Sequence, residues 1–352
     1  MRFSLWQSFK IGMTIVGTTI GAGFASGREI WEFFGSYGET SHYNIILSMC
    51  VFFFATIILL TISWQKKTNH YSEVLEQIMG PYLTRLFDWI VLFFLLSTTV
   101  VMIAGSGAAF VQWKGDDSFI LGCIIMMIAV FVVLLFDLKG LMSMNILIIP
   151  LLIIILLIVC VWFLQVHPGD YDMARTNSHL PAWPSAISYA AFNIISLLAV
   201  LSTMGSQIQH HLEIWLAAAF SMVCLGGIAI LYNYSLLKIE HLMSQYEIPL
   251  FALVEDYSPF WVSLITCVLW FAIYTTAISN VYGLVFRLNS LVSWPRWMIG
   301  LISLLVLAPL SQFGFTNLVQ FLYPLYGVIN LFILASILLY PFSQSHHSTQ
   351  KK

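Results

Sequence analysis

The sequence predicts an all-α membrane protein of about ten transmembrane helices. Of its 352 residues, 60% are hydrophobic and only 9% are charged, and long apolar stretches recur along the chain. A soluble domain keeps about a quarter of its residues charged, so lipid must surround most of this chain. With a net charge of −2 and no basic run, nucleic acid is not an expected partner. The expected partners are the lipid bilayer and a small-molecule solute, and protein partners are left open.

Each predicted span is a mainly apolar stretch near the length of roughly 20 residues at which a helix crosses the hydrocarbon. Backbone polar groups left unpaired are too costly in lipid, so the spans are predicted to be helical. In chain order they are 11–34, 43–64, 83–113, 118–136, 141–164, 184–208, 214–237, 259–288, 297–310 and 318–340. They form one transmembrane domain, residues 1–342, followed by a polar tail, 343–352, that is predicted to be disordered.

The basic residues predict the orientation. If the N-terminus is cytoplasmic, ten Lys and Arg fall on the inner side and three on the outer side, which is the usual positive-inside bias. The protein is therefore predicted to be a multi-pass cell-membrane protein with both termini in the cytoplasm. The inner residues are Arg2, Lys10, Lys66, Lys67, Arg85, Lys139, Arg287, Arg296, Lys351 and Lys352, and the outer ones are Lys114, Arg175 and Lys238.

Ten spans divide into two sets of five, about 8–165 and 183–342. When the sequence is shifted by 178 residues, the third span falls on the eighth, and Pro81 and Gly105 fall on Pro259 and Gly283. Because five is odd, the halves enter the membrane from opposite sides. Such an inverted repeat is typical of secondary transporters that bind solute near the midplane. A duplication without transport is the alternative.

The first span contains four glycines within 17–27, and each weakens a helix by about 1 kcal/mol relative to Ala. The following Ser26-Gly27-Arg28-Glu29 is typical of a capping box, in which Ser26 begins a new helix and Glu29 bonds back to the Ser26 amide. We therefore predict two half-helices separated by an unwound link at 21–25. Close packing of the glycines against a neighbouring helix is the alternative.

A broken helix exposes free amides, which suit a carboxylate, and free carbonyls, which suit Na⁺ or an ammonium group. The repeat places the partner break in the sixth span at 199–201, so helices 1 and 6 are both predicted to be discontinuous. Arg28, Glu29 and Glu32 form either a cap and an ion pair or a group with a gating or proton-coupling role, because ionisable residues inside spans are functional candidates.

No metalloprotease, P-loop or nucleotide-binding fingerprint occurs, so the protein is predicted not to be an enzyme, and transport would use an ion gradient. No cofactor is expected beyond Na⁺ or H⁺ as the coupling ion. In the eighth span, Thr275 and Thr276 offer neutral oxygens that Na⁺ accepts, with bonding between helices as the alternative.

In the segment Gly17-Thr-Thr-Ile-Gly-Ala-Gly-Phe-Ala-Ser-Gly-Arg-Glu29, the chain resembles the bacterial YkvI-type membrane proteins, relatives of the amino acid–polyamine–organocation superfamily. The resemblance extends over nearly the whole chain. It implies a leucine-transporter-like fold with a solute site lined by helices 1, 3, 6 and 8. In sodium-coupled members, one Na⁺ lies between first-helix carbonyls and two hydroxyls of the eighth helix. The matching groups here are the Gly17 and Ile20 carbonyls with Thr275 and Thr276.

These expectations combine into a Na⁺- or H⁺-coupled symporter of a small amino acid or related organic solute. The predicted solute-binding residues are Gly21, Ala22, Gly23, Ala25, Ser26, Thr98, Asn193 and Ser196. A membrane receptor that binds a solute without moving it, and a passive channel, are the alternatives.

Overall fold

A computed structural model describes residues 3–68, 70–136, 145–169, 181–289 and 292–349. Thirteen α-helices, joined by short 3-10 turns and loops, make up the described architecture. They are α1 Leu5–Thr19, α2 Ala22–Ala25, α3 Arg28–Phe33, α4 Ser41–Lys66, α5 Tyr71–Lys114, α6 Phe119–Phe136, α7 Asn145–Val166, α8 Trp183–Met204, α9 His211–Lys238, α10 Pro249–Ala252, α11 Pro259–Asn289, α12 Arg296–Leu307 and α13 Phe315–Thr349.

The predicted set of about ten spans is confirmed. Within the described ranges, nine helical segments are long and apolar enough to cross a membrane, and the first predicted span is not among them because it is divided into α1, α2 and α3. The ninth span is short, as expected, with 18 residues in Arg296–Phe313. The start of the fifth span, 141–144, lies outside the described residues. α13 continues to Thr349, beyond the point where the sequence places the start of the tail.

The two halves of the chain match at the level of helices. Leu5 begins α1 and Trp183 begins α8, which is the 178-residue offset of the predicted repeat. Pro81 follows a sharp turn at Gly80, where φ is 80°, and Pro259 begins α11. A proline at the start of a helix has the φ angle that the helix needs. Pro259 begins α11, and Pro81 begins the long part of α5 that follows the turn at Gly80. These two helices, α5 and α11, pack against each other.

The predicted break in the sixth span is wrong. α8 is a continuous helix across 199–201, because alanine and leucine there favour a helix and no glycine or proline interrupts it before Gly205. The Ser202 and Thr203 hydroxyls bond back to carbonyls of the same helix. Hydroxyls of Ser63 and Thr68 donate to the Ser202 carbonyl and satisfy the end of α8.

We call the end of the helical bundle at which α1 begins the N-terminal side. Here the fully buried Glu213 of α9 accepts hydrogen bonds from the backbone amides of Ser4, at 3.0 Å, and Gln209, at 2.9 Å. This carboxylate fastens the beginning of α1 to α9. The connection from α9 to α11, residues 239–258, follows the other end of α9 and is bonded to residues 26 and 28 of the divided first span.

Candidate functional site

The first span breaks first at Ile20 and Gly21. The Gly21 amide donates to the Thr19 carbonyl at 2.9 Å, and Ile20 has φ −78° and ψ 84°, which are the angles of an inverse γ-turn. Gly21 is extended, and α2 then forms a single helical turn. The predicted discontinuity of helix 1 is confirmed. It begins one residue earlier than expected, and residues 22–25 are helical rather than unwound.

A second break follows at Gly27, which has φ 82°, a left-handed conformation that glycine adopts without strain. The predicted capping box is wrong, because the Ser26 amide donates to the Ala22 carbonyl and is not available to Glu29. The Ser26 hydroxyl instead donates to the Gly23 carbonyl at 2.8 Å and accepts from the Arg28 amide at 3.2 Å. The chain therefore turns twice, and Glu29 is left for another role.

Just before the second break, the backbone carbonyls are already bonded to other helices. The Tyr232 hydroxyl of α9 donates to the Ala25 carbonyl at 3.1 Å, and the Leu250 amide of α10 donates to the Ser26 carbonyl at 3.0 Å. These two predicted solute-binding residues therefore have no free carbonyl in this state.

The first break is different, because its backbone groups are free. Within the described part of the chain, the Gly17 and Ile20 carbonyls accept no hydrogen bond, and the amides of residues 22–24 donate none. A methyl group placed on Gly21 would meet no atom within 4 Å, so open space lies beside this residue. Acceptors, donors and space thus occur together at the first break.

An ion pair closes the side opposite the N-terminal side. Arg28 Nε lies 3.0 Å from Glu32 Oε1, and Arg28 Nη1 donates to the Met243 carbonyl at 3.2 Å. Glu247, in the same connection, accepts from the Phe315 amide at 3.0 Å. The 239–258 connection is therefore bonded both to the first span and to α13.

The Glu29 side chain points away from that pair and into the protein. It is 4% exposed, and the Tyr189 hydroxyl and Asn193 amide of α8 lie beside its carboxyl group. Tyr323 of α13 reaches the same place, since a methyl group on Gly23 would lie 2.6 Å from Glu29 Oε2 and 2.9 Å from the Tyr323 hydroxyl. A buried carboxyl group therefore touches the backbone of α2.

The structure brings only some of the predicted side chains to this place. Asn193 lies beside Glu29, whereas the Thr98 hydroxyl donates to the Phe94 carbonyl of its own helix. No described hydrogen bond links Ser196 to the first span. The Thr275 and Thr276 hydroxyls both donate to the Ala272 carbonyl within α11, which leaves their lone pairs available to a cation. α11 packs against α2.

Three tyrosines of this region were not predicted from the sequence: Tyr189, Tyr232 and Tyr323. Tyr189 precedes Asn193 by one helical turn, so the face that predicted Asn193 also predicts Tyr189. The other two stand among many aromatic residues and carry no comparable signal.

No family model matches the sequence. A relative in Bacillus subtilis (strain 168), the uncharacterized protein YyaD, is 38% identical over 338 residues, which cover 96% of this chain and 98% of YyaD. The chain belongs to the family of YyaD. The uncharacterized membrane protein YkvI of the same organism is 28% identical over 349 residues and covers 96% of this chain and 97% of YkvI. The predicted membership of the YkvI-type membrane proteins is confirmed, and the protein is a multi-pass membrane protein.

Solved transporter structures share the fold. Mhp1 in an inward-facing conformation superimposes with a TM-score of 0.65 at 11% identity, covering 94% of this chain and 75% of Mhp1. The Eremococcus coleocola manganese transporter gives 0.63 at 13%, covering 96% and 80%. MhsT in complex with L-phenylalanine gives 0.58 at 15%, covering 96% and 86%. The predicted leucine-transporter-like fold is confirmed.

Proposed function

We propose that the protein is a secondary active transporter of the amino acid–polyamine–organocation superfamily, a cation-coupled symporter of a small amino acid or related organic solute. The observation that carries the proposal is the first break, where free carbonyls, free amides and open space meet at Gly21. Non-helical backbone at membrane depth is tolerated only against protein or a water-filled cavity. In transporters of this architecture, the solute binds at such breaks.

The chemistry of the break favours a zwitterion. The amides of residues 22–24 suit a carboxylate, and the Ile20 carbonyl suits an ammonium group. MhsT, which shares the fold, has been solved with L-phenylalanine bound, whereas another protein of the same fold is a manganese transporter. The backbone groups here match the first kind of solute more closely, because the free amides suit an anion and no cluster of three His, Cys, Asp or Glu side chains that could hold a metal ion occurs among the described residues.

The coupling ion can enter at two places. The Gly17 and Ile20 carbonyls with the Thr275 and Thr276 hydroxyls form a candidate Na⁺ site of neutral oxygens, and Glu29 is a candidate proton site. Gating falls to Arg28 and Glu32, whose ion pair holds the 239–258 connection over the first span. By the positive-inside rule this closed side is the outer one.

Alternating access then requires two rearrangements. The connection must release the Ser26 carbonyl and Arg28 for solute to enter from the closed side, and α1 must bend at Ile20 and Gly21 for solute to leave at the N-terminal side. Because α1 is fastened by Glu213 and the outer part of the span by other helices, these two movements do not require each other.

The test is uptake by the purified full chain in proteoliposomes. Labelled L-amino acids are supplied with an inward Na⁺ gradient, with an inward proton gradient, or with neither. Saturable accumulation driven by either gradient is the expected result. Binding without accumulation would indicate a receptor, and flux that stops at equilibrium would indicate a channel, and either outcome would refute the proposal.

A matched pair of variants locates the site. Gly21→Val fills the open space beside the first break and is therefore expected to weaken uptake. The fold should be kept, because valine adopts the extended backbone of Gly21 without strain. Gly227→Val is the control, because a methyl group on Gly227 also meets no atom within 4 Å but Gly227 lies on an exposed face of α9. Equal uptake by the two variants would show that the solute does not bind beside Gly21.

A further inference from the structure

The carboxyl group of Glu29 is not needed for the shape of the first span. The Ser26 amide, which a capping glutamate would accept, is bonded elsewhere, and Glu29 Oε1 is buried without a hydrogen-bond partner in the described part of the chain. An isolated ionised carboxylate away from water is so costly that such groups are found paired or neutral. A buried carboxyl group at residue 29 is therefore not accounted for by its contribution to folding.

The groups that face this carboxyl group are all uncharged or already paired. From α8 come the Tyr189 hydroxyl and the Asn193 amide, and from α13 comes the Tyr323 hydroxyl. From α9, the Tyr232 hydroxyl is bonded to the Ala25 carbonyl.

The charged groups nearby are bonded to other partners. On the helix that carries Glu29, Arg28 and Glu32 form their own pair at 3.0 Å. In the 239–258 connection, Glu247 accepts from the Phe315 amide. No cation among the described residues neutralises the Glu29 carboxylate, so the form that this closed state accommodates is the neutral acid.

The same carboxyl group is in contact with the solute-facing part of the span. Oε2 lies so close to Gly23 that a methyl group there would be 2.6 Å away. Gly23 is two residues from Gly21, beside which the open space lies. Any movement of α2 that admits water to this space also changes the surroundings of the Glu29 carboxyl group.

We propose that Glu29 binds the coupling proton. The proposal rests on the transport function above and selects the proton as its coupling ion. The carboxylate takes up one proton while the site is open to the outside, carries it as the neutral acid through the closed state, and releases it when the site opens to water at the N-terminal side. Tyr189, Asn193 and Tyr323 surround the carboxyl group in this closed state.

The experiment follows protons and solute together. Proteoliposomes of the full chain enclose the pH indicator pyranine, and the probe is a mixture of the twenty L-amino acids, labelled for uptake. Wild type is expected to acidify the interior as it takes up the probe. Glu29→Gln keeps the size of the neutral acid without a titratable proton. It is expected to lose acidification and proton-driven accumulation while still exchanging labelled for unlabelled amino acids across the membrane.

Two further variants control for folding and for charge. Glu76→Gln makes the same change at an exposed glutamate of α5 and is expected to acidify the interior like wild type. If Glu29→Gln exchanges nothing, Glu29→Asp must restore both exchange and acidification, because it returns the acid. A folded Glu29→Asp protein that restores exchange without proton movement would overturn the proposal.

The outcomes separate this proposal from the transport function. Acidification by Glu29→Gln at the wild-type rate, or accumulation by wild type driven by Na⁺ with no proton movement, overturns the role of Glu29 and leaves a transporter. Wild-type protein that neither takes up nor exchanges any of the twenty amino acids overturns the proposed solute class and function, whatever Glu29 does.

Discussion

The close contact at Gly23 makes a quantitative prediction about stability. In Gly23→Ala, the new methyl group would lie 2.6 Å from Glu29 Oε2, 2.8 Å from Tyr323 Cε2 and 2.9 Å from the Tyr323 hydroxyl. The Glu29 carboxyl group is the end of a side chain and can yield. The Tyr323 ring cannot easily do so, because it is buried and stacks on Phe192 with 4.4 Å between ring centroids.

The expected size follows from two opposing effects. Forcing a methyl group into a packed interior costs about 1–3 kcal/mol. Replacing glycine by alanine where the backbone is compatible returns about 0.4–1 kcal/mol. Gly21→Ala has the second effect without the first, since nothing lies within 4 Å of its added methyl group. The difference in stability between the two variants is therefore the cost of overpacking, about 1–3 kcal/mol.

The assay is thermal unfolding of both variants in one detergent, followed by tryptophan fluorescence. Gly23→Ala is expected to unfold at a lower temperature than wild type, and Gly21→Ala at the wild-type temperature or slightly above. The double variant Gly23→Ala with Tyr323→Phe should recover part of the loss, because the hydroxyl is removed but the ring remains. Equal stability of the two alanine variants would refute the packing described around Gly23.

Three other contacts give stability predictions that the same unfolding assay checks. Tyr232→Phe should cost about 1 kcal/mol, because the buried Ala25 carbonyl loses its bond, and an unchanged midpoint would speak against that bond. Glu213→Ala removes the acceptor of two backbone amides and should lower the free energy of unfolding by about 2–4 kcal/mol. Glu213→Gln keeps one acceptor oxygen and should lower it less. Equal losses of stability in the two variants would contradict the two-bond geometry. Arg28→Met should cost about 3–5 kcal/mol because it leaves Glu32 buried without its cation, and the double replacement of both residues by Met should recover most of that loss. A double variant as unstable as the single one would exclude the ion pair.

Hydropathy and glycine spacing predicted most of the fold. The number of spans, the offset of the repeat and the discontinuity of the first helix all follow from local properties of the chain: apolar length, the position of prolines and the density of glycines. The same local logic explains the error in the sixth span. The repeat was assumed to place a break at 199–201, but the residues there favour a helix, and the local preference prevailed.

The site was less predictable because its decisive features are contacts between distant parts of the chain. A capping box at Ser26 and Glu29 is reasonable from spacing alone. The capping box does not form because Gly27 adopts a left-handed conformation and the Ser26 amide donates to the Ala22 carbonyl instead of the Glu29 side chain. That Glu29 then turns toward Tyr323 depends on the packing of α13, which no local pattern reveals.

The part of the first span that follows Gly21 also has a consequence for how the protein is made. The helices α2 and α3 contain 4 and 6 residues, and isolated helices so short are unstable. One of the bonds that hold them comes from Met243, 215 residues later in the chain. At about 5–20 residues per second, a ribosome needs roughly 10–40 s to reach that point. During that interval the new segment, with Arg28, Glu29 and Glu32, lacks the connection that later covers it. We therefore expect a chaperone or the insertion machinery to shield these side chains until residues 239–258 have been synthesised.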